Sequence, residues 1–137
     1  MKNIKKITSY LKYNGFDKSY IVKILFLLDW KHVLVTGERM FSVNWIYSSY
    51  GAKFEEFEID NIIPRPNIEL LEEEKEYIDF ILKKVRRLKY TDFVNIYFST
   101  YPLIYGVKYQ PIDLVAMAKE YKAAFPRKKP ELERLAK

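Results

Sequence analysis

The stretch that decides the fold is YIVKILFLLDWKHVLVT, which runs from Tyr20 to Thr36. It is apolar on nearly every side and Gly37 follows it, a pattern typical of a central buried helix that ends at a glycine. Its most apolar part contains Lys23 and Asp29 and is shorter than the roughly 20 residues that a membrane-spanning helix needs. We therefore expect a buried helix in a soluble protein.

Helical patterns also lie on both sides of this segment. The predicted helices are Asn3–Tyr13, Val43–Tyr50 with Ser42 as its N-cap and Gly51 as its stop, Glu69–Leu88, a segment capped by Thr91 that ends before Tyr101-Pro102, and a last helix that begins at Pro111. The segment 91–100 is rich in β-branched and aromatic residues, so a strand stays an alternative there. Together these elements predict a mainly α fold, a compact single-domain bundle of about six helices.

One region in the middle of the chain has an ambiguous period. Phe57 and Ile59 alternate as in a strand, whereas Phe54 and Phe57 have helical spacing. Short runs of this kind cannot be assigned from their period alone. The structure of residues 53–60 therefore stays open, and so does a small β-hairpin near residues 53–68.

A single domain with a short tail is the predicted organisation. We assign residues 1–125 to one helical domain, with Pro64-Arg65-Pro66 as an internal linker, because a proline disfavours helix at the residue before it. Residues 126–137 are basic and contain two prolines, and we expect a mobile tail there. The N-terminus is basic but lacks the apolar core of a signal peptide, so we expect a cytoplasmic protein, of a bacterium or of the host cell if a phage encodes it.

The composition excludes several kinds of chemistry. There are no cysteines, which excludes disulfides, thiolate zinc sites, iron–sulfur clusters and a cysteine nucleophile. The single histidine, His32, excludes a metal site that needs two imidazoles. The four glycines are too widely spaced for the usual phosphate-binding loops. We therefore expect no catalytic residues, no metal site and no bound cofactor.

A polar cluster on the predicted central helix is the one constellation that could carry chemistry. At helical spacing, Asp29, His32 and Thr36 share one face, and Asp29 and His32 are close enough for their side chains to meet. A carboxylate on a buried face needs a partner, since an unpaired buried charge is costly. We interpret the three residues as a structural cluster with an Asp29–His32 pair, and a binding or proton-transfer site stays the alternative.

Aromatic and basic side chains supply the candidates for partner binding. These candidates are Trp30, Trp45, Tyr47, Lys83, Lys84, Arg86 and Arg87. Tryptophan and tyrosine are common interface anchors and also ordinary core residues. The four bases end the predicted helix 69–88 on its outer face, whereas residues 53–79 carry 10 acidic and 3 basic side chains. The net charge of the chain is +6. We expect the basic patch to steer an acidic protein partner rather than to bind nucleic acid, because the acidic block at residues 53–79 would repel phosphate.

Three blocks of the sequence resemble the Panacea domain, the SocA-like domain of bacterial and phage antitoxins. The blocks are KILFLLDWKHVLVTGERM (residues 23–40), NWIYSSYG (residues 44–51) and FVNIYFSTYPLIYGVKYQPIDLVAMAKEYK (residues 93–122). The positions that match the family pattern are Asp29, Trp30, His32, Trp45, Tyr50, Gly51, Tyr101 and Pro102, and we expect most of them to hold the fold. The sequence departs from the family at Ala52, where a proline is common.

The resemblance implies a function as well as a fold. It implies a compact, mainly helical domain without enzymatic activity, which neutralises a partner toxin encoded by a neighbouring gene through direct binding. One alternative is a phage or bacterial protein that binds a host defence factor or acts as a protease adaptor. A second alternative is a nucleic-acid-binding regulator. The sequence indicates neither the binding face nor the oligomeric state.

Overall fold

The computed structural model describes residues 4–66 and 70–126. In chain order the elements are α1 (Ile4–Tyr13), α2 (Lys18–Thr36), β1 (Ile46–Ser48), β2 (Gly51–Lys53), a short 3-10 helix (Ile59–Asn61), α3 (Glu72–Arg86), α4 (Tyr90–Phe98), α5 (Tyr101–Tyr105) and α6 (Leu114–Ala124). The predicted mainly α, compact single-domain fold is confirmed, with six α-helices and one small antiparallel hairpin in the described ranges. None of these helices is long and apolar enough to cross a bilayer. The predicted tail, apart from Pro126, lies outside the described residues.

Helix α2 lies at the centre of the fold and packs against α1, β2 and α6. Its start is set by Asp17, whose side chain accepts a hydrogen bond from the backbone N–H of Tyr20 at 3.1 Å. Its end is set by Gly37, which has the left-handed φ of 82° and donates its N–H to Val33 O at 2.8 Å. Because neighbours cover α2 on several sides, nearly every side chain in its middle is buried, as its uniformly apolar sequence predicts.

The segment that follows α2 differs from its prediction, since the helix expected at Val43–Tyr50 does not form. Strands β1 and β2 form an antiparallel hairpin instead, in which Ser48 pairs with Gly51 across a two-residue turn. Gly51 has a φ of 106°, a conformation that glycine adopts readily, and here it begins β2 instead of ending a helix. The small hairpin considered near residues 53–68 therefore lies at residues 46–53.

Distant backbone stabilises this hairpin on the outer edge of β1. Tyr109 donates its N–H to Tyr47 O at 2.6 Å, and Tyr47 donates its own N–H to Gln110 O at 3.0 Å. A further bond joins Ile112 N to Trp45 O at 2.8 Å. These bonds satisfy backbone groups that a two-stranded hairpin alone would leave exposed, and such a hairpin is marginal by itself. The long-range pairing therefore decides against a local helix.

The ambiguous residues 53–60 are neither one strand nor one helix. After β2 the chain has no regular structure until the 3-10 helix. The proline linker that follows is not helical, as expected, and it docks on α1. The ammonium of Lys12 donates to Ile59 O at 3.1 Å and to Ile62 O at 2.8 Å, and the backbone N–H of Arg65 donates to Ser9 O at 3.3 Å.

Helix α3 forms within the predicted range 69–88, of which Glu69 lies outside the described residues. The residues of α4 form a helix, so the strand considered for 91–100 is wrong. Its N-cap is Lys89, and Thr91 lies inside its first turn rather than before it. Continuous burial on one side, at Phe93 and Tyr97, explains why the helix wins over the β-branched composition.

Two prolines lie in settings that the sequence did not predict. Helix α4 ends at Phe98, before Tyr101-Pro102 as predicted, but Pro102 then lies in the first turn of a further helix, α5, where a proline without an N–H is tolerated. Pro111 was expected to begin the last helix, but it forms a bridge with Ile46 of the hairpin. Helix α6 begins later, because the side chain of Asp113 caps it by accepting from the Ala116 N–H at 3.0 Å.

Candidate functional site

The carboxylate of Asp29 forms a closed polar centre inside the core. Asp29 is fully buried, and its Oδ1 accepts from the backbone N–H of Met40 at 2.9 Å. Its Oδ2 accepts from Arg39 Nε at 2.8 Å and from the indole Nε1 of Trp45 at 2.8 Å. The guanidinium of Arg39 also donates to Val43 O at 2.7 Å. Asp29 thus holds the loop after α2 against the helix, with both carboxylate oxygens satisfied.

The predicted Asp29–His32 pair does not form. The side chain of His32 is partly exposed and takes no part in the hydrogen bonds to Asp29. Thr36 donates its hydroxyl to the backbone oxygen of His32 at 2.8 Å and accepts from the N–H of Glu38 at 3.1 Å, so it closes the end of α2. Helical spacing placed the three residues on one face correctly, but the loop from Arg39 supplies stronger partners for the carboxylate.

The three aromatic candidates for partner binding are core residues. Trp30, Trp45 and Tyr47 are all buried. Trp30 packs edge-on against Tyr121 at a centroid distance of 6.2 Å, and the hydroxyl of Tyr47 donates to Leu103 O at 2.6 Å. The prediction of Trp30 and Trp45 as contact residues is therefore wrong, because a partner could reach them only if the core opened. Tyr47 is buried as well, although it lines a small surface hollow beside the hairpin.

The four basic candidates lie at the end of α3 and are not equivalent. Lys83 and Arg87 are exposed, and Lys84 is partly buried. Arg86 is exposed but donates to the backbone oxygen of Asn14 at 3.0 Å, which ties α3 to the end of α1. Among the described residues, the side chains of Lys83 and Arg87 have no hydrogen-bond or ion-pair partner, so within that part of the chain they are the two candidates that can meet a partner without losing such a contact.

A groove that the sequence did not predict lies between the first half of α2, the hairpin with the chain that follows it, and α4. Its volume is about 950 Å³. We call it the hairpin groove. Its lining includes Lys18, Ser19, Val22, Lys23, Tyr50, Lys53, Phe54, Glu55, Glu58, Tyr90, Val94 and Phe98. An open hollow of this size, with mixed apolar and charged walls, is typical of a binding site.

Exposed aromatic rings concentrate at the hairpin groove and beside it. Tyr50, at the tip of the hairpin, is 88% exposed, and Tyr90 and Phe98 are exposed on the opposite wall. A second hollow, of about 440 Å³, shares Tyr50 with the groove and is lined by Tyr109. Tyr109 is 69% exposed and has an unusual left-handed φ of 69°, held by bonds from its N–H and its hydroxyl to the hairpin.

The charges of the hairpin groove are unevenly paired. At its rim, Lys53 lies 3.7 Å from Glu55, and Lys18 lies 3.9 Å from Glu58. Lys23 lies deeper and is partly buried. Within the described part of the chain, Lys23 has no carboxylate at ion-pair distance.

The surroundings of Lys23 are polar but uncharged. Its ammonium donates to the backbone oxygen and the hydroxyl of Ser19, both at 3.3 Å. It also lies 5.8 Å from the ring centroid of Tyr90 and 5.5 Å from that of Tyr97. Such cation–π contacts stabilise a cation without neutralising it. Lys23 therefore presents to the groove an ammonium that has no carboxylate partner among the described residues.

Tyr97 joins the wall of the groove to the core. Its hydroxyl accepts the backbone N–H of Ala52 at 2.7 Å, and its ring packs edge-on against Phe26 at 5.7 Å. Burial raises the pKa of Tyr97 well above the ordinary tyrosine value, and the hydrogen bond from Ala52 offsets only part of that rise. A Cβ at Gly51 would lie 2.5 Å from the Tyr97 hydroxyl, so this approach requires glycine. The position of the hairpin is thus set by the core.

No protein-family model, curated protein or solved structure matches the chain. The described residues hold no cluster of acids and histidine that could bind a metal ion. A function for this chain is therefore inferred from its own surface, and the hairpin groove is the feature that offers the most to a partner.

Proposed function

We propose that this protein is a non-enzymatic interaction module of the antitoxin type, which neutralises a partner toxin by binding it directly. The resemblance to the Panacea domain supports this proposal, and the single observation that carries it is the hairpin groove with its exposed aromatic rim. The proposed compartment is the bacterial cytoplasm, or the host cytoplasm if a phage encodes the chain. The proposed toxin is the product of a neighbouring gene.

The exposed ring of Tyr50 is the strongest support for a protein partner. A tyrosine that is 88% exposed contributes little to folding, because folding has removed little of its surface from water. A partner that covered it would gain that burial, with few side-chain rotations to restrict. Tyr90 and Phe98 would be covered by the same partner, since they line the same groove.

Co-expression tests the proposal directly. The chain and the product of the adjacent gene are expressed together, growth is measured, and the complex is isolated by affinity capture of the tagged chain. We expect this chain to restore growth and to retain the product. Tyr50→Ala should weaken the complex by about tenfold or more while leaving the melting temperature unchanged.

The matched control for this variant is Tyr13→Ala. Tyr13 is also exposed, at 54%, but it lies on α1 and does not line the groove. We expect the control to bind as the parent does. Equal losses for both variants, or none for Tyr50→Ala, would place the binding face elsewhere. A neighbouring product that is neither toxic nor retained would refute the antitoxin proposal and favour the host-factor or protease-adaptor alternative.

A further inference from the structure

We infer that the hairpin groove binds an acidic segment of the protein partner, with a carboxylate at Lys23 and apolar side chains on either side of it. This inference rests on the proposed function, because it names the chemistry of the segment that the interaction module would recognise. It follows from three properties of the groove: the pairing of its charges, the hydroxyl groups beside Lys23, and its apolar walls.

The pairing of charges selects the position of the carboxylate. The rim lysines, Lys18 and Lys53, already have glutamates beside them. Lys23 has only uncharged oxygens and ring faces as neighbours in the described ranges. An ammonium carries three N–H donors and attracts a carboxylate more strongly where it is partly shielded from water. The groove is therefore complementary to one negative group at Lys23.

Two hydroxyl groups lie where they can complete such a site. The hydroxyl of Ser19 is hydrogen-bonded both to Lys23 and to the hydroxyl of Tyr90. Each hydroxyl can rotate its proton toward an incoming anion. A carboxylate has two oxygens that each accept more than one hydrogen bond, so the ammonium and a hydroxyl can share it.

The walls of the groove determine what flanks the carboxylate. Val22 of α2, Val94 and Phe98 of α4 and Phe54 after the hairpin line the same hollow as Lys23. Burial of partner side chains against these walls is favourable in proportion to the apolar area removed from water. The segment that fits is therefore an acidic residue between large apolar ones, rather than a run of acids.

The charge balance of the groove argues for a carboxylate instead of a phosphate. Glu55 and Glu58 both line the groove, but each lies beside a rim lysine, so the rim adds little net charge and Lys23 is left as the cation without a carboxylate partner among the described residues. A phosphate carries nearly two negative charges, and a nucleic-acid strand carries one for each nucleotide. A single ammonium balances one carboxylate but leaves part of the charge of a phosphate or a nucleic-acid strand without a counter-charge.

Selection from displayed random peptides tests the inference without knowledge of the partner. The immobilised full chain is used for selection, and the enriched peptides are labelled for fluorescence anisotropy. We expect enriched peptides to carry Asp or Glu between large apolar residues. Replacement of that acid by its amide should weaken binding by about tenfold or more. The salt dependence of the affinity should fall with it.

Variants at Lys23 identify the site. Lys23→Met removes the charge and keeps most of the stem, and we expect it to lose binding by the same factor as the amide peptide, with no further loss when the two are combined. Lys23→Arg should restore most of the affinity, because it keeps the charge. The matched control is Lys83→Met, which removes an exposed lysine that does not line the groove and should bind normally.

Several outcomes would overturn the inference. These are the absence of enriched peptides, enrichment without acidic residues, full binding by Lys23→Met, or tighter binding of a phosphoserine version of the selected peptide. The outcome is separate from that of the proposed function. Retention of the neighbouring toxin by Lys23→Met at full affinity would end this inference and leave the proposed function standing. If acidic peptides are selected but the neighbouring product is neither toxic nor retained, the inference stands and the proposed function is refuted.

Discussion

Asp29 and Lys23 are charged residues of the same helix, α2, but they differ in burial and in their partners. Asp29 is fully buried, and donors from the loop after α2 satisfy both of its oxygens. Lys23 lies about 1.7 helical turns earlier. It lines an open groove and has no carboxylate partner in the part of the chain that the structure describes. We call Asp29 with its donors the closed centre, and Lys23 with the hairpin groove around it the open centre.

The comparison shows where in a fold a charged side chain can remain available for a ligand. A charge in the core must be fully partnered, because leaving it unpaired costs several kcal/mol. A charged group in an open groove can keep one of its N–H donors hydrogen-bonded to water, and a ligand can later replace that water. Aromatic contacts connect the two centres, from Trp45 through Phe26 to Tyr97, so the closed centre supports the wall of the open one.

Removal of the Asp29 carboxylate should have the largest effect on the free energy of unfolding. Asp29→Ala leaves the guanidinium of Arg39, the indole N–H of Trp45 and a backbone N–H without their acceptor, and we expect a loss of about 3–5 kcal/mol in the free energy of unfolding. Urea denaturation measures it. His32→Ala is the control and should cost less than about 1 kcal/mol, because its side chain is outside the network. An Asp29→Ala variant that unfolds at the same urea concentration as the parent would contradict a structural role for this carboxylate.

A substitution at Gly51 should disturb the wall of the open centre. We expect Gly51→Ala to lower the free energy of unfolding by about 2–4 kcal/mol, since it adds left-handed strain and a clash with the Tyr97 hydroxyl. Gly15→Ala is the matched control, because Gly15 also has a positive φ, of 91°, but open space where its Cβ would lie. Only Gly51→Ala should weaken peptide binding in the groove. Equal costs for both variants would show that the contact with Tyr97 is unimportant.

Alkaline pH should act in the same direction on two tyrosines whose hydroxyl groups are buried, Tyr97 and Tyr77. Burial raises the pKa of both Tyr97 and Tyr77 in the folded state, so the folded protein keeps protons that the unfolded chain loses. Stability is then fully present below the ordinary tyrosine pKa of about 10 and falls as pH rises above it. Thermal melts at pH 7 to 11 measure this decline, and we expect Tyr97→Phe and Tyr77→Phe each to make it shallower.

At neutral pH the same two variants should differ. Tyr97→Phe leaves the Ala52 N–H without its acceptor and should cost about 1–2 kcal/mol. The hydroxyl of Tyr77 has no hydrogen-bond partner among the described residues, so Tyr77→Phe should be neutral or slightly stabilising. A cost for Tyr77→Phe equal to that for Tyr97→Phe would indicate that the bond to the hairpin contributes nothing.

Charge reversal on α3 should have the smallest effect. Lys83→Glu combined with Arg87→Glu should slow association with an acidic partner a few-fold and reduce its salt dependence, with little change in dissociation. Lys119→Glu, at an exposed lysine of α6, is the control. The regulator alternative is tested with random duplex and single-stranded DNA and RNA at two salt concentrations. Tight, strongly salt-dependent binding that the double variant abolishes would favour nucleic acid as the partner.

Several features could be predicted because they depend on neighbours in the sequence. The end of α2 follows from Gly37 and its body from the apolar run, although Asp17 caps it so that it begins at Lys18 and not at the predicted Tyr20. Helix α3 follows from one apolar stripe between an acidic start and a basic end.

The candidate site could not be predicted in the same way. The segment at Tyr50 and Gly51 resembles a helix end because of its glycine. The turn residues Ser49-Tyr50 are not a pair typical of two-residue hairpin turns, so the local sequence did not indicate the hairpin.

The sequence by itself determined a helical domain with a buried central helix, because helical period and capping act within a few residues. Only the tertiary structure decided the partners of Asp29, the place of the hairpin and the existence of the hairpin groove. The reason is that these depend on groups far apart in the chain, such as Tyr97, which lies 45 residues beyond the Ala52 that it holds. Short strands have too little local energy to choose their own conformation, so they adopt the one that distant partners complete.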